Sequence, residues 1–138
     1  MIATKSIVFN TEAEMDVVDI TKMVADALAE TDISAGTVTA FIQGSTGALT
    51  TMEFEPGLVK DLKETFEKLA SRDHYYHHEE RWHDNNGHSH VRAALIGPSV
   101  VVPFRDNRLM LGTWQQIVFI DFDVRGRERE VILQIVGE

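Results

Sequence analysis

The 138-residue sequence contains no cysteine. Disulfides, thiolate nucleophiles, iron–sulfur clusters and cysteine-type zinc sites are therefore excluded. Proline is scarce, at three residues, and basic residues are outnumbered, 13 against 22 acidic. The resulting net charge of −9 argues against general nucleic-acid binding, which needs a basic surface. It leaves room for a small anion held by a few local cations. No apolar run approaches the roughly 20 residues of a membrane span, so no membrane partner is expected. Met1 to Lys5 leads directly into a strand-like run without the basic segment and long apolar core of a signal peptide. The expected location is the cytoplasm.

What is present suits one globular domain over residues 1–138, of α+β class. Ser6–Phe9 and Met15–Ile20 read as strands. Ile20, Met23, Val24, Ala27 and Leu28 recur at helical spacing and predict a helix over Thr21–Ala29, with Asp19 or Thr21 as N-cap. Thr37–Gln43 and Ala48–Phe54 are strand-like and are separated by Gly44-Ser45-Thr46-Gly47. Pro56 opens a second helix to Ala70, with Leu58, Leu62, Phe66 and Leu69 as its apolar stripe and Asp61 at the stripe's border. His74 to His90 is polar and irregular. Val91–Ile96, stopped by Gly97-Pro98, predicts a short helix with Asn85 or Asn86 near its start; a strand is the alternative. The remainder is β: Ser99–Phe104, a turn at Arg105–Arg108, a long strand over Leu109–Asp123 covered on both faces, a turn at Arg125–Arg127, and Glu130–Val136. The count of helices is two to three.

All six histidines fall between His74 and His90, and neutral imidazole is a common metal ligand. His88-Ser89-His90 offers a short chelating pair, with His77, His78 and His83 as candidates for a third ligand. In a strand His88 and His90 would share a face; in a helix they point about 200° apart. Arg92 lies four residues beyond His88, on nearly the same helical side. A helix start, an arginine and a metal together suit a phosphate-bearing ligand. Ser45 and Thr46 provide hydroxyls and open amides in a small-residue turn, although the lysine of a P-loop is missing. Glu53 alternates with apolar residues and is a candidate ligand carboxylate. Thr113 and Gln115 flank Trp114 within the expected buried strand, where polar groups need hydrogen-bond partners.

The runs Asn86-Gly87-His88-Ser89-His90-Val91-Arg92-Ala93-Ala94-Leu95-Ile96-Gly97-Pro98-Ser99, Val102-Pro103 and Arg108-Leu109-Met110-Leu111-Gly112-Thr113-Trp114-Gln115, with the closing Val131–Glu138, resemble the YjbQ family. Asp19-Ile20-Thr21, Glu53 and Asp61 fit the same pattern. The resemblance implies an α+β fold with β-sandwich character, a homotrimer, and a histidine-lined site able to hold a divalent metal such as zinc or magnesium. It further implies a secondary thiamine-phosphate synthase activity; the alternative reading of the same site is non-catalytic binding of a small phosphorylated metabolite or a metal ion. The residues matching by position are His77, which follows a tyrosine, His90, Arg92 and Gln115; His88 matches members with two histidines here. His77, His88 and His90 are thus the expected metal ligands. Many members carry a histidine and two hydroxyl residues where this chain has Gly44-Ser45-Thr46. Because His77, His88, His90 and Arg92 sit off the apolar stripes, changing them is expected to leave the fold intact.

Overall fold

The computed structural model describes residues 1–12 and 14–138. Two antiparallel sheets form a sandwich, and helices cover the smaller sheet. The larger sheet contains β1 (Ile2–Asn10), β8 (Glu128–Gly137), β3 (Gly36–Ile42), β5 (Ser99–Arg105) and β6 (Arg108–Leu109), in that order. The smaller has β7 (Gln116–Asp121) between β2 (Asp16–Asp19) and β4 (Gly47–Met52). Among the described residues no helix is long and apolar enough to cross a membrane. The α+β sandwich expected from the sequence is therefore the architecture found.

Strand alternation sorts the core into two layers. Val131, Leu133 and Ile135 of β8 and Val38, Ala40 and Ile42 of β3 point toward Ile117 and Phe119 of β7. Phe9 meets Phe119 edge-on between the sheets, with ring centroids 5.4 Å apart. The intervening residues Val118 and Ile120 face the other way, onto Phe66 and Ala93 of two helices. The smaller sheet is thus buried on both faces, which is why Ile117 to Ile120 read as a continuous apolar run.

Among the described residues four helices are found rather than two or three. α1 (Thr21–Ala29) has the predicted span. Neither Asp19 nor Thr21 is its N-cap: Ile20 holds that position without a side-chain bond. Asp19 instead accepts from Thr21 N–H at 3.0 Å, while the Thr21 hydroxyl accepts from Ile117 N–H at 2.9 Å, tying the helix to β7. α2 (Pro56–Leu69) begins at the expected proline and is capped by the Glu55 carboxylate, which accepts from Gly57 and Leu58 N–H. Its buried side runs through Val59, Leu62 and Phe66. Leu62 and Phe66 of the predicted stripe are on this side, whereas Leu58, Leu69 and Asp61 are exposed, so the buried face is turned by about 40° from the predicted one. The additional helix, α3 (Glu79–Trp82), is a single turn in the region expected to be irregular. α4 (Gly87–Ile96) follows Asn86, and Gly97 ends it with φ of 103°, a backbone state that favours glycine. The helix reading of this segment, with Asn86 at its start, is the one found.

The long strand over Leu109–Asp123 is not formed. β6 ends at Leu109 in the larger sheet, and β7 starts at Gln116 in the smaller. Residues 110–115 carry the chain from one sheet to the other, and one continuous strand cannot belong to both. Gln115 N–H closes a turn on Gly112 C=O at 3.1 Å. Trp114, expected to be buried, is 73% exposed. The preceding hairpin is as predicted: Asp106 and Asn107 both take positive φ, the requirement of a tight two-residue turn. Asn107 then donates its amide to Leu28 C=O at 3.1 Å and to Ile33 C=O at 2.9 Å, fastening the hairpin to the end of α1.

At one end of the sandwich the inward series of β8 and β7 turns from apolar to ionic. Arg129 and Asp121 occupy the next inward positions and form a buried, two-pronged pair, with both bonds at 2.8 Å. Thr11 donates its hydroxyl to Asp121 at 2.6 Å, and Thr46 accepts from Arg129 at 3.0 Å. Removing one member of such a pair strands a charge in the interior. Arg129→Met should therefore cost about 3–5 kcal/mol, measured as a lowered urea midpoint with an unchanged slope.

Candidate functional site

α4 lies across the smaller sheet, and its first turn decides where the predicted site residues go. The 3.6-residue period sends Gly87, His88, Ser89, Arg92 and Ala93 inward. A Cβ on Gly87 would fall 2.5 Å from Tyr76 Cβ, so only glycine permits this close seat of the helix start. His90 is left at the rim. There it faces the β3–β4 turn across a cleft of about 360 Å³, lined by Gly44, Ser45, Gly47, His90, Ala94 and Gly97 among others.

Gly47 makes this shape attainable. A Cβ there would lie 2.5 Å from the Phe119 ring, so the turn can sit down on the core only without a side chain. Gly44 opens the cleft floor: a Cβ there would be 3.4 Å from Arg129 Nη1, so the guanidinium lies directly under the turn. The Thr46 hydroxyl is buried beneath it, donating to Asp123 at 3.0 Å while accepting from Arg129. Ser45 stays exposed at the mouth. Burial lowers the basicity of the His90 imidazole, and His78 acts in the same direction. Asp84, Asp123 and the Ser45 main chain oppose them without reversing the net effect.

The expected metal ligands do not converge. The His88 side chain is 1% exposed, and its Nε2 lies 2.5 Å from Glu14 Oε1. Glu14 in turn pairs with Arg72 at 2.7 Å. The His77 side chain is 92% exposed and turned outward to Glu80 at 2.7 Å. His90 stands against His78, with ring centroids 4.4 Å apart. Among the described residues, the nitrogen and oxygen donors that do converge are those of His78, Glu79 and Asp84, all within 4.8 Å of one another. The sequence had marked His78 only as one third-ligand candidate and had passed over Glu79 and Asp84. Their i, i+1, i+6 spacing has meaning only once α3 and the turn after it are known.

The expected ligand-binding residues separate into groups. Ser45 and His90 share the cleft. Thr46 and Arg92 lie beneath the surface. Arg92 is 2% exposed and donates to Ala70 C=O at 3.0 Å and to Glu67 at 2.9 Å, so it braces α4 against the end of α2. Glu53, Thr113 and Gln115 are exposed at the opposite end of β4. Gln115 donates its amide to Thr51 at 3.1 Å and accepts from Gly112 N–H at 3.1 Å. Thr51 and Gly47 are four strand residues apart, about 13 Å at the usual rise per residue.

A sandwich of five and three strands, with two helices on the outer face of the small sheet and a cleft between α4 and a glycine-rich turn, defines the class of protein. Residues 5–138 match the family described as UPF0047 protein YjbQ-like. A UPF0047 protein of Archaeoglobus fulgidus is 38% identical over 124 residues, covering 90% of this chain and 94% of that relative. A YjbQ-like protein of unknown function from Sulfolobus solfataricus P2 superposes with a TM-score of 0.94 at 29% identity, over 100% of this chain and 99% of that one. A hypothetical protein from Aeropyrum pernix K1 gives 0.91 at 34% identity, covering 99% of each chain. The chain belongs to the UPF0047 YjbQ-like family, whose function is uncharacterised.

Burial corrects the expectation that changing His88 and Arg92 leaves the fold intact: both side chains are interior and bonded. Arg92→Met keeps the apolar stem but leaves Ala70 C=O without its partner, and should cost about 1–3 kcal/mol, read from urea unfolding.

Proposed function

We propose that the His90 cleft binds a small phosphorylated metabolite. The observation that carries this reading is the cleft between α4 and the Gly44-Ser45 turn, where the Ser45 hydroxyl and the His90 imidazole line a concavity floored near Arg129. Phosphate oxygens are strong acceptors, and hydroxyl and imidazole N–H donors suit them. The net charge of −9 favours a small ligand over a nucleic acid.

Thiamine-phosphate synthase activity, implied by the family resemblance, is the narrower version of the same proposal. In that reaction a carbon–nitrogen bond joins the pyrimidine methylene to the thiazole nitrogen while the bond to pyrophosphate breaks. Cationic groups must stabilise the departing pyrophosphate. Arg92 is committed to Glu67 and Ala70, and Arg129 to Asp121. The expected trio His77, His88 and His90 does not fit a single metal ion, because His88 is turned to Glu14 and His77 to Glu80. This favours binding over turnover as the leading form of the proposal. Thermal denaturation with thiamine phosphate, pyrophosphate and inorganic phosphate tests it. A rise in Tm with at least one of them, abolished in His90→Ala, is expected; no shift with any of the three overturns the reading. Pyrophosphate release from the two substrates would instead support the synthase.

The homotrimer belongs to the same proposal. On the outer face of the larger sheet, three cross-strand rows carry no formal charge: Ile2, Val136, Thr37 and Pro103; Thr4, Gln134, Thr39 and Val101; Ser6, Ile132, Phe41 and Ser99. In a chain this acidic, such a face lets copies approach without opposing charges. Light scattering should give three times the 15.5 kDa chain mass, and Phe41→Asp should reduce it. A monomer mass for the unaltered protein at micromolar concentration removes the claim.

A further inference from the structure

We propose that the α3–α4 connection is a binding site for a first-row divalent transition ion, held by His78, Glu79 and Asp84. Their donor atoms lie within 4.8 Å of one another, and His78 Nε2 is 3.4 Å from Asp84 Oδ1. Bonds of about 2.0–2.1 Å in a tetrahedral site place neighbouring ligand atoms about 3.3–3.4 Å apart, so this pair already stands at bonding separation for one ion. One imidazole and two carboxylates supply two negative charges to offset a dication, and the mixture of nitrogen and oxygen donors suits zinc, cobalt or manganese.

Two further features hold the donors in place. Gly87 N–H donates to Glu79 Oε1 at 2.8 Å, orienting that carboxylate from the first turn of α4. The Asn86 amide reaches into the same cluster, with one terminal atom 2.8 Å from Asp84 Oδ1 and 3.1 Å from His78 Nε2. With its nitrogen there, the amide donates to both groups and satisfies the ion-free cluster.

The site does not depend on a ligand in the His90 cleft. An ion on His78 would nonetheless stand beside His90, since the two rings pack together, and would bring positive charge to the rim of a cleft whose nearby arginines are engaged.

Titration with cobalt(II), followed by visible absorption and by equilibrium dialysis, tests the proposal directly. One cobalt per chain with ligand-field bands is expected. The isosteric Asp84→Asn, and separately Glu79→Gln, should weaken binding about tenfold or more, while His77→Ala leaves it unchanged. Both carboxylate changes keep the shape of the side chain, and the far-ultraviolet spectrum confirms the fold, so lost binding cannot be mistaken for unfolding. Binding weaker than millimolar in the unaltered protein overturns the site. So does affinity that survives the Glu79→Gln, Asp84→Asn double change, or that disappears in His77→Ala.

Discussion

Asp121 and Arg129 meet at the end of the sandwich where the apolar interior stops. The pair comes from the inward face of both sheets and is wholly enclosed: Asp121 has 0% exposure. An isolated charge there would be very costly, so the two sheets must keep the spacing that lets the guanidinium fork reach both carboxylate oxygens. Thr11 and Thr46 occupy further hydrogen-bonding positions around the pair, and Asp123 joins through Thr46 and through Arg127 at 2.6 Å. The network thereby ties the end of β1, the β3–β4 turn and the β7–β8 connection to one point.

The candidate cleft follows from that tie. Thr46 is pulled inward, Gly47 settles against Phe119, and Ser45 with Gly44 is left as the outward crest of the turn. α4 packs beside this crest because Gly87, Ser89 and Ala93 on its buried side are small and let it come close to the small sheet. His90 lies at the edge of that buried side, half-covered and facing Ser45. The polar groups on the inward side serve the structure instead. His88 joins α4 to Glu14, and Arg92 joins it to the end of α2, so one helix uses similar residues for bracing and for presentation according to their angle about its axis.

Much of the fold was legible because its signals are local. Pro56, Gly97-Pro98 and the Arg105–Arg108 turn mark boundaries by backbone chemistry that holds in any context. The doubly covered run Ile117–Ile120 announced a central strand. The break between β6 and β7 was not legible, since Leu109 to Gln115 has strand-like composition and nothing local states that the chain changes sheets there. The same error placed Trp114 inside. Around the candidate cleft, clustering of the histidines drew attention to the stretch of chain that holds His90, the histidine at the cleft rim. Which histidines share a point was not legible, because this depends on the single turn of α3 and on the rotation of α4. Glu14, distant in sequence, takes His88 out of the set, and no pattern near His88 signals that.

The residues that resemble the family's motifs lie at two ends of β4, with the His90 cleft at the Gly47 end and the Trp114 loop at the other. Backbone amide NMR of the protein titrated with pyrophosphate tests this division most directly. The account predicts shifts concentrated at Ser45, Gly47, His90 and Ala94, with Thr113, Trp114 and Gln115 unmoved. Shifts centred on Thr113 to Gln115, with the His90 cleft silent, would contradict it.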